Sequence, residues 1–532
     1  AVLKDKCLPQ ATHQQIEHIH ESLLFYDEHT FGASESVSDP LCENSQVQWG
    51  EKSAYAWEAV KRTQMLYETS VGLLQGDLRR GKNPTLTIFN TLNWKRSEML
   101  TVYIDFEVIP RNQFFEITDF QGHSLKVQPI RYRREGCYYA IFAEDIPPMG
   151  YKTFEIVFKQ PSTDTGTITI NNASIENHFY KLQLNPDKGT IQSLYDKELN
   201  CELVDSSSPW ELGAFIYEKL GNRDQLAQYR LDDYNRTGLS ECRIIDSSNG
   251  PIYQRILLQG KSPGTDEAFG VNLEIKLYHD TKRIELEYAI KRLPETDPSG
   301  IYVAFPFQLP EGKLAFDVQG GTVISGKNQL EGTSTDWNTV QNFVSVQNNQ
   351  AQIIIGSSLI PLYQLGDINL GKFQYQKQYE RPHVYSWVMN NYWNTNFKAS
   401  QEGEFRWSYH LTSSVDPSNN LATKFGWSSR IPLYARVMPT GTENHKPTEY
   451  SAFHFEKDNF LMTSCTPSKE EGYILLNIRE IDGKRTNLRI LNEDGQTIPF
   501  TIVNAIEEKL ENETSEHIFE GYQNKFIKIK RF

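Results

Sequence analysis

The chain has 532 residues, with 54 Lys plus Arg against 68 Asp plus Glu and a formal net charge of −14. At roughly 100–200 residues per domain, this length asks for about three or four domains. The acidic balance argues against a nucleic-acid binder, which needs a basic surface against phosphate, and no run approaches the ~18 apolar residues of a membrane span.

The first eighty residues read as helix. Ile16, Ile19, Leu23 and Leu24 repeat at three to four residues, and the run ends near Thr30-Phe31-Gly32, where Gly supplies a left-handed stop. A polar linker from Ser34 to Gln48 follows. A second, longer helix is expected from near Trp49, because Trp57, Val60, Gln64, Tyr67, Val71, Leu74 and Leu78 are spaced as a heptad seam. Two helices bury such a seam poorly, so its partner is expected to be the β domains or a segment upstream of Ala1. After Arg79-Arg80-Gly81 the period shortens to two.

Thr85–Asn90, Met99–Phe106 and Phe154–Phe158 read as strands of a small β domain, closed by a polar linker from Gln160 to Gly166. Further strands recur to Ser429, among them Ile252–Leu258, Val271–Tyr278, Ile284–Ile290 and Ile353–Ile355. Gly320-Gly321 and Asn185-Pro-Asp-Lys-Gly189 have the chemistry of hairpin turns. No strand–helix alternation appears, which argues against a doubly wound α/β sheet. The fold class read here is mainly β: a helical-bundle segment (1–80), a small β domain (84–158), a large β-sandwich (167–429) and a C-terminal β-sandwich (430–532). Six scattered cysteines form no Cys-x-x-Cys, and the sequons at Asn172, Asn235 and Asn512 are near chance, so the compartment stays open.

Three places carry candidate chemistry. Asp27-Glu28-His29-Thr30-Phe31-Gly32 crowds polar groups at a helix end; His29 is either a metal ligand or a histidine complementing the helix dipole. Met389 to Phe397 holds four Asn with Tyr392, Trp393 and Phe397. Amides satisfy sugar hydroxyls and aromatic faces stack on pyranose C–H groups, whereas the alternative is a polar inter-strand loop. Arg479 reads as a contact to a sugar hydroxyl, as a loop brace, or as half of an ion pair with Glu480. Carboxylates are abundant, but spacing selects no acid/base pair, and no nucleophile elbow, P-loop or dinucleotide motif is present.

Several phrases together resemble the middle and C-terminal portions of the α-mannosidases of glycoside hydrolase family 38. Asn90-Thr-Leu-Asn-Trp94-Lys-Arg96 is similar to a strand-opening Asn-Pro-Leu-x-Trp-x-Arg phrase of that family. Pro147-Pro-Met-Gly150-Tyr151 resembles its Pro-x-x-Gly-Tyr. Asn177-x-x-Tyr180 with Gly189-x-Ile191-x-Ser193-Leu-Tyr-Asp196-Lys197 resembles the start of its large β domain, a galactose-mutarotase-like supersandwich. Asn390-Asn391-Tyr392-Trp393-x-Thr395-Asn396 resembles its bacterial branches.

The resemblance implies a retaining exo-α-mannosidase with one catalytic zinc, acting on α-mannosides. It implies His29 as a zinc ligand, with the other ligands, the nucleophile and the acid/base upstream of Ala1. The start at Ala1 then reads as a cut through a larger enzyme, inactive as an isolated chain. The family's His-Asp-x-x-x-Gly context departs here to His29-Thr30-Phe31-Gly32, so Asp27 is carried as a substitute sugar contact. Asn390, Asn391, Trp393 and Arg479 are carried as substrate-binding residues. The other readings are a non-catalytic carbohydrate-binding β-sandwich protein and a purely structural sandwich assembly. Linkage, true sugar, oligomeric state and compartment are left open, a homo-oligomer among them.

Overall fold

The computed structural model describes residues 11–160 and 173–531. Cys7, the sequon Asn172 and the polar stretch 161–166 lie outside them. Among the described residues every strand pair is antiparallel, and three α-helices stand beside the sheets. The fold is mainly β, as the period-two runs imply. No described helix is long and apolar enough to cross a membrane.

Helix α1 spans Ala11–Asp27 and α2 spans Glu43–Leu74. They form an antiparallel hairpin of unequal arms, about 26 and 48 Å at 1.5 Å per residue. The sequence places the stop of α1 near Gly32 and the start of α2 near Trp49. The structure ends α1 at Asp27 and starts α2 at Glu43, where the Cys42 sulfur accepts from the Ser45 N–H. The heptad seam divides. Val71, Leu74 and Leu78 pack on Phe89, Tyr151, Tyr434 and Tyr450 of the β region, while Trp57, beyond the β sheets' reach, is 71% exposed.

The small β unit has a five-stranded sheet built on Thr85–Asn90 and Gly150–Lys159 and a three-stranded sheet in which Gly136–Ile146 lies between Arg96–Asp105 and Lys126–Tyr132. The phrase Asn90…Arg96 locks its corner. Asn90 donates to the carbonyls of Trp94, Ile146 and Pro147, and Arg96 grips Glu98 through two hydrogen bonds. Gly150 is required by close approach, since a Cβ there would lie 1.8 Å from the Tyr450 carbonyl oxygen. The strands Tyr434–Met438 and Glu449–Ser451, counted with the last block in the sequence division, pair into this sheet instead.

The large sandwich sets a nine-stranded sheet against a six-stranded and a four-stranded one. Its main core runs between them. The six-stranded sheet is buried on both faces because its strands alternate between two apolar clusters. Along Ser299–Phe305, Ile301, Val303 and Phe305 face the main core, while Tyr302 and Ala304 face a second cluster with Trp387 and Tyr392. The Asn185–Gly189 and Gly320-Gly321 turns are hairpins, with Gly189 and Gly320 at positive φ. A third helix, α3 (Asn419–Arg430), capped by the Ser418 hydroxyl on the Leu421 N–H, leads to the C-terminal unit. That unit is a four-stranded sheet with two short ribbons over its own core.

Candidate functional site

Strand Val384–Asn390 lies at the centre of the six-stranded sheet, paired with Ser299–Phe305. Ile301 opposes Met389 but Tyr302 opposes Trp387, so Val388 is an extra residue, a bulge that bends the strand end. The chain leaves the sheet at Asn390 and enters the Asn-rich loop. Tyr392 anchors that loop inward: its hydroxyl donates to the buried Glu218 carboxylate at 2.6 Å, which also accepts from Tyr302 at 3.3 Å and from Arg236. Gly300 makes room for the phenol, because a Cβ there would sit 2.0 Å from its oxygen.

The predicted residues separate on this loop. Asn390 is exposed and its amide makes no hydrogen bond among the described residues. Asn391 is turned inward: it accepts from the Ser299 N–H at 2.7 Å and donates to the carbonyls of Glu295 and Ala399 at 3.1 and 2.8 Å. Its amide braces the loop, with both N–H donors taken up by backbone carbonyls. Trp393 is half-buried against Trp337, Trp387 and Tyr392, with ring centroids 5.6–6.0 Å away. The cavity beside Asn390 is about 60 Å³, room for water rather than a pyranose.

The turn after α1 comes to this same loop. Phe31 stacks on Phe397 at 5.0 Å, and Ser36 donates to the Asn396 carbonyl at 3.1 Å, across 360 residues. Lys398 lies over the Trp49 ring at 3.9 Å. Lys52, only 6% exposed, donates to the carbonyls of Phe25 and Glu28 at 2.6 and 2.7 Å. These are orphan carbonyls at the end of α1, which has no basic residue in its own last turn. The Thr30 N–H holds the Glu28 carboxyl below its usual value. Between the two helices, a groove of about 320 Å³ is walled by Phe25, Glu28, Phe31, Glu51, Lys52 and Tyr55.

His29 projects from this turn with its side chain 95% exposed and Nε2 3.7 Å from Glu28. Asp27, beside it, is exposed. Among the described residues no group of three or more His, Cys, Asp or Glu is placed to hold a metal. A zinc site needs three or four converging ligands, so the described residues do not by themselves fit a complete one.

Arg479 is not brought to this place. It lies buried on strand Tyr473–Glu480, where burial pushes the guanidinium below its ordinary value against the pull of Asp317. Its expected partner Glu480 is occupied otherwise, accepting from Asn459 and from the N–H groups of Asp482, Gly483, Lys484 and Tyr522. Sequence reasoning missed Lys52 and Glu218 altogether. Neither sits in a motif, and each acts through a partner remote in sequence. Phe397 was within reach, as the aromatic that closes the Asn-rich run.

Residues 175–373 match the family model described as "Glycosyl hydrolases family 38 C-terminal domain". Among solved structures, an alpha-mannosidase from Enterococcus faecalis V583 is similar with a TM-score of 0.73 at 12% identity, over 97% of this chain and 64% of that one. A protein in the glycosyl hydrolase family 38 from Enterococcus faecalis is similar with a TM-score of 0.72 at 13% identity, over 97% of this chain and 66% of that one. The chain therefore spans about two thirds of the length of these structures, and at such identities the likeness establishes the fold. No curated protein matches the chain.

Proposed function

We propose that this chain, whose residues 175–373 match the glycosyl hydrolase family 38 C-terminal domain model, is the helical-hairpin and β-sandwich part of a glycosidase acting on α-mannosides. The observation that carries the reading is the junction just described. Two segments picked from the sequence as ligand-bearing, 27–32 and 390–398, are packed together although hundreds of residues separate them. Asn390 offers a free amide, Trp393 a partly open aromatic surface, and the neighbouring groove carboxylates and rings. Those are the groups that hold sugar hydroxyls and sugar C–H faces.

In this reading Asp27, Asn390 and Trp393 contact the sugar, and Asn391 holds the loop in shape. His29 is the one zinc ligand this chain offers, and further ligands come from outside the described residues. The retaining mechanism and its two carboxylates are part of the same proposal. The chain by itself binds an α-mannoside without cleaving it.

The test is to incubate the full chain with 4-nitrophenyl α-mannoside, with and without added zinc, beside His29→Ala. The reading expects no turnover in any sample. Turnover in any sample contradicts the reading, and turnover that survives His29→Ala and a chelator also overturns the role given to zinc.

A further inference from the structure

Strand Val384–Asn390 joins two different places. Its end feeds the loop just described. Its start, at His383, opens on a separate cavity of about 590 Å³, well inside the ~300–1,000 Å³ range of small-molecule sites. Six steps of about 3.3 Å put the two strand ends roughly 20 Å apart, and the cavity shares no lining residue with the one beside Asn390.

His383 is 3% exposed and lines this cavity. Its Nε2 lies 2.9 Å from Asp205 Oδ2. Asp205 is itself fixed by the Ser207 N–H and hydroxyl, at 2.9 and 2.6 Å. A carboxylate only accepts, so Nε2 carries the proton and Nδ1 is left as an acceptor. Burial pushes the imidazole below its ordinary value despite Asp205, which keeps the ring neutral at pH 7. Nδ1 has no hydrogen-bond partner among the described residues.

The remaining wall is polar, aromatic and balanced in charge. The lining carries Asp367 and Glu380 against Lys372 and Arg381, with Lys372 paired to Asp367 at 2.8 Å and Arg381 to Asp205 at 3.5 Å, and Tyr379 and Tyr385 supply ring surface. Arg381 and Gln378 are exposed at the rim with donors to spare. Balanced charge disfavours a phosphate or carboxylate ligand, while an acceptor, several donors and two rings suit a compact polyhydroxylated one.

We propose that this cavity is a second carbohydrate site, taking a neutral pyranose whose hydroxyls meet His383 Nδ1, Arg381 and Gln378. It is independent of the 390–398 loop and stands whether or not that loop binds sugar.

The test is saturation-transfer NMR on the full chain carrying Asn390→Ala, which removes the first site's free amide. The probes are methyl α-mannopyranoside, methyl α-glucopyranoside and methyl β-galactopyranoside, one at a time. At least one should show transfer. Adding His383→Ala, or the rim variant Gln378→Ala where folding is a concern, should reduce it at least fivefold. Absence of transfer from all three, transfer unchanged in both added variants, or displacement by equimolar inorganic phosphate overturns the proposal.

Discussion

The ring of Phe31, just past α1, lies on the ring of Phe397 with centroids 5.0 Å apart and planes 22° from parallel. This contact fastens the helical hairpin to the loop that leaves the central strand of the sandwich. An offset aromatic pair contributes about 0.5–1.5 kcal/mol beyond the area it buries. Phe397→Ala should therefore loosen the turn without unfolding the sandwich. Amide exchange over residues 28–36 is expected to rise about fivefold, the factor for ~1 kcal/mol, while exchange along Ser299–Phe305 stays unchanged.

Gly32 presses on the same loop. A Cβ there would meet the Asn396 carbonyl oxygen at 2.5 Å, whereas one at Gly72 in α2 would meet nothing within 4 Å. Gly32→Ala should cost about 1–3 kcal/mol through forced displacement. Gly72→Ala should stabilise by about 1 kcal/mol, the helix-propensity difference. Paired urea unfolding of the two variants checks both signs.

The neighbours Asn390 and Asn391 should behave oppositely. Asn391→Ala removes three hydrogen bonds that brace buried backbone groups, at about 1–3 kcal/mol. Asn390→Ala removes an exposed amide and should leave stability within ~0.5 kcal/mol, while lowering affinity for an α-mannoside. Thermal melts beside binding titrations separate the two effects.

Much of the fold was legible in the sequence because period-two alternation reports a half-buried sheet directly. Val271–Tyr278 alternates buried and half-buried positions as its pattern implies. The helix boundaries were not legible, since α2 is capped by Cys42, a weak acceptor that carries no capping signature. The seam was visible, but not that its lower end from Tyr67 meets the sheets while Trp57 stays exposed. The site was half legible. Composition marked the Asn-rich loop, yet it could not say that Asn390 faces out and Asn391 in, which depends on the pairing of the strand end with Ser299–Phe305. Nor could it show that Arg479 belongs to another unit.

Acid should weaken the protein through His410. Burial pushes this imidazole down to about 3, with Arg283 and Lys276 adding to the effect against Glu285, 3.8 Å away. An unfolded histidine titrates near 6.5. Between those values the unfolded chain holds a proton that the folded one does not, so this stability is full above pH 6.5 and is lost as pH falls toward 3. The slope is at most about 1.4 kcal/mol per pH unit. Urea midpoints from pH 7 to 5 should fall, and His410→Gln should flatten the decline by up to one proton. His383 and His517, also held low by burial, keep part of it in the variant. The Glu285 carboxyl, held well below its usual value despite burial, contributes only at more acid pH.

The central claim is that the turn at 27–32 and the loop at 390–398 make one carbohydrate site. Its most direct test is calorimetric titration of methyl α-mannopyranoside into the full chain, compared with Asn390→Ala and Gly32→Ala. The account predicts at least a tenfold loss of affinity in the first, and a loss in the second although residue 32 itself contacts no sugar. Binding unchanged in both variants would contradict it.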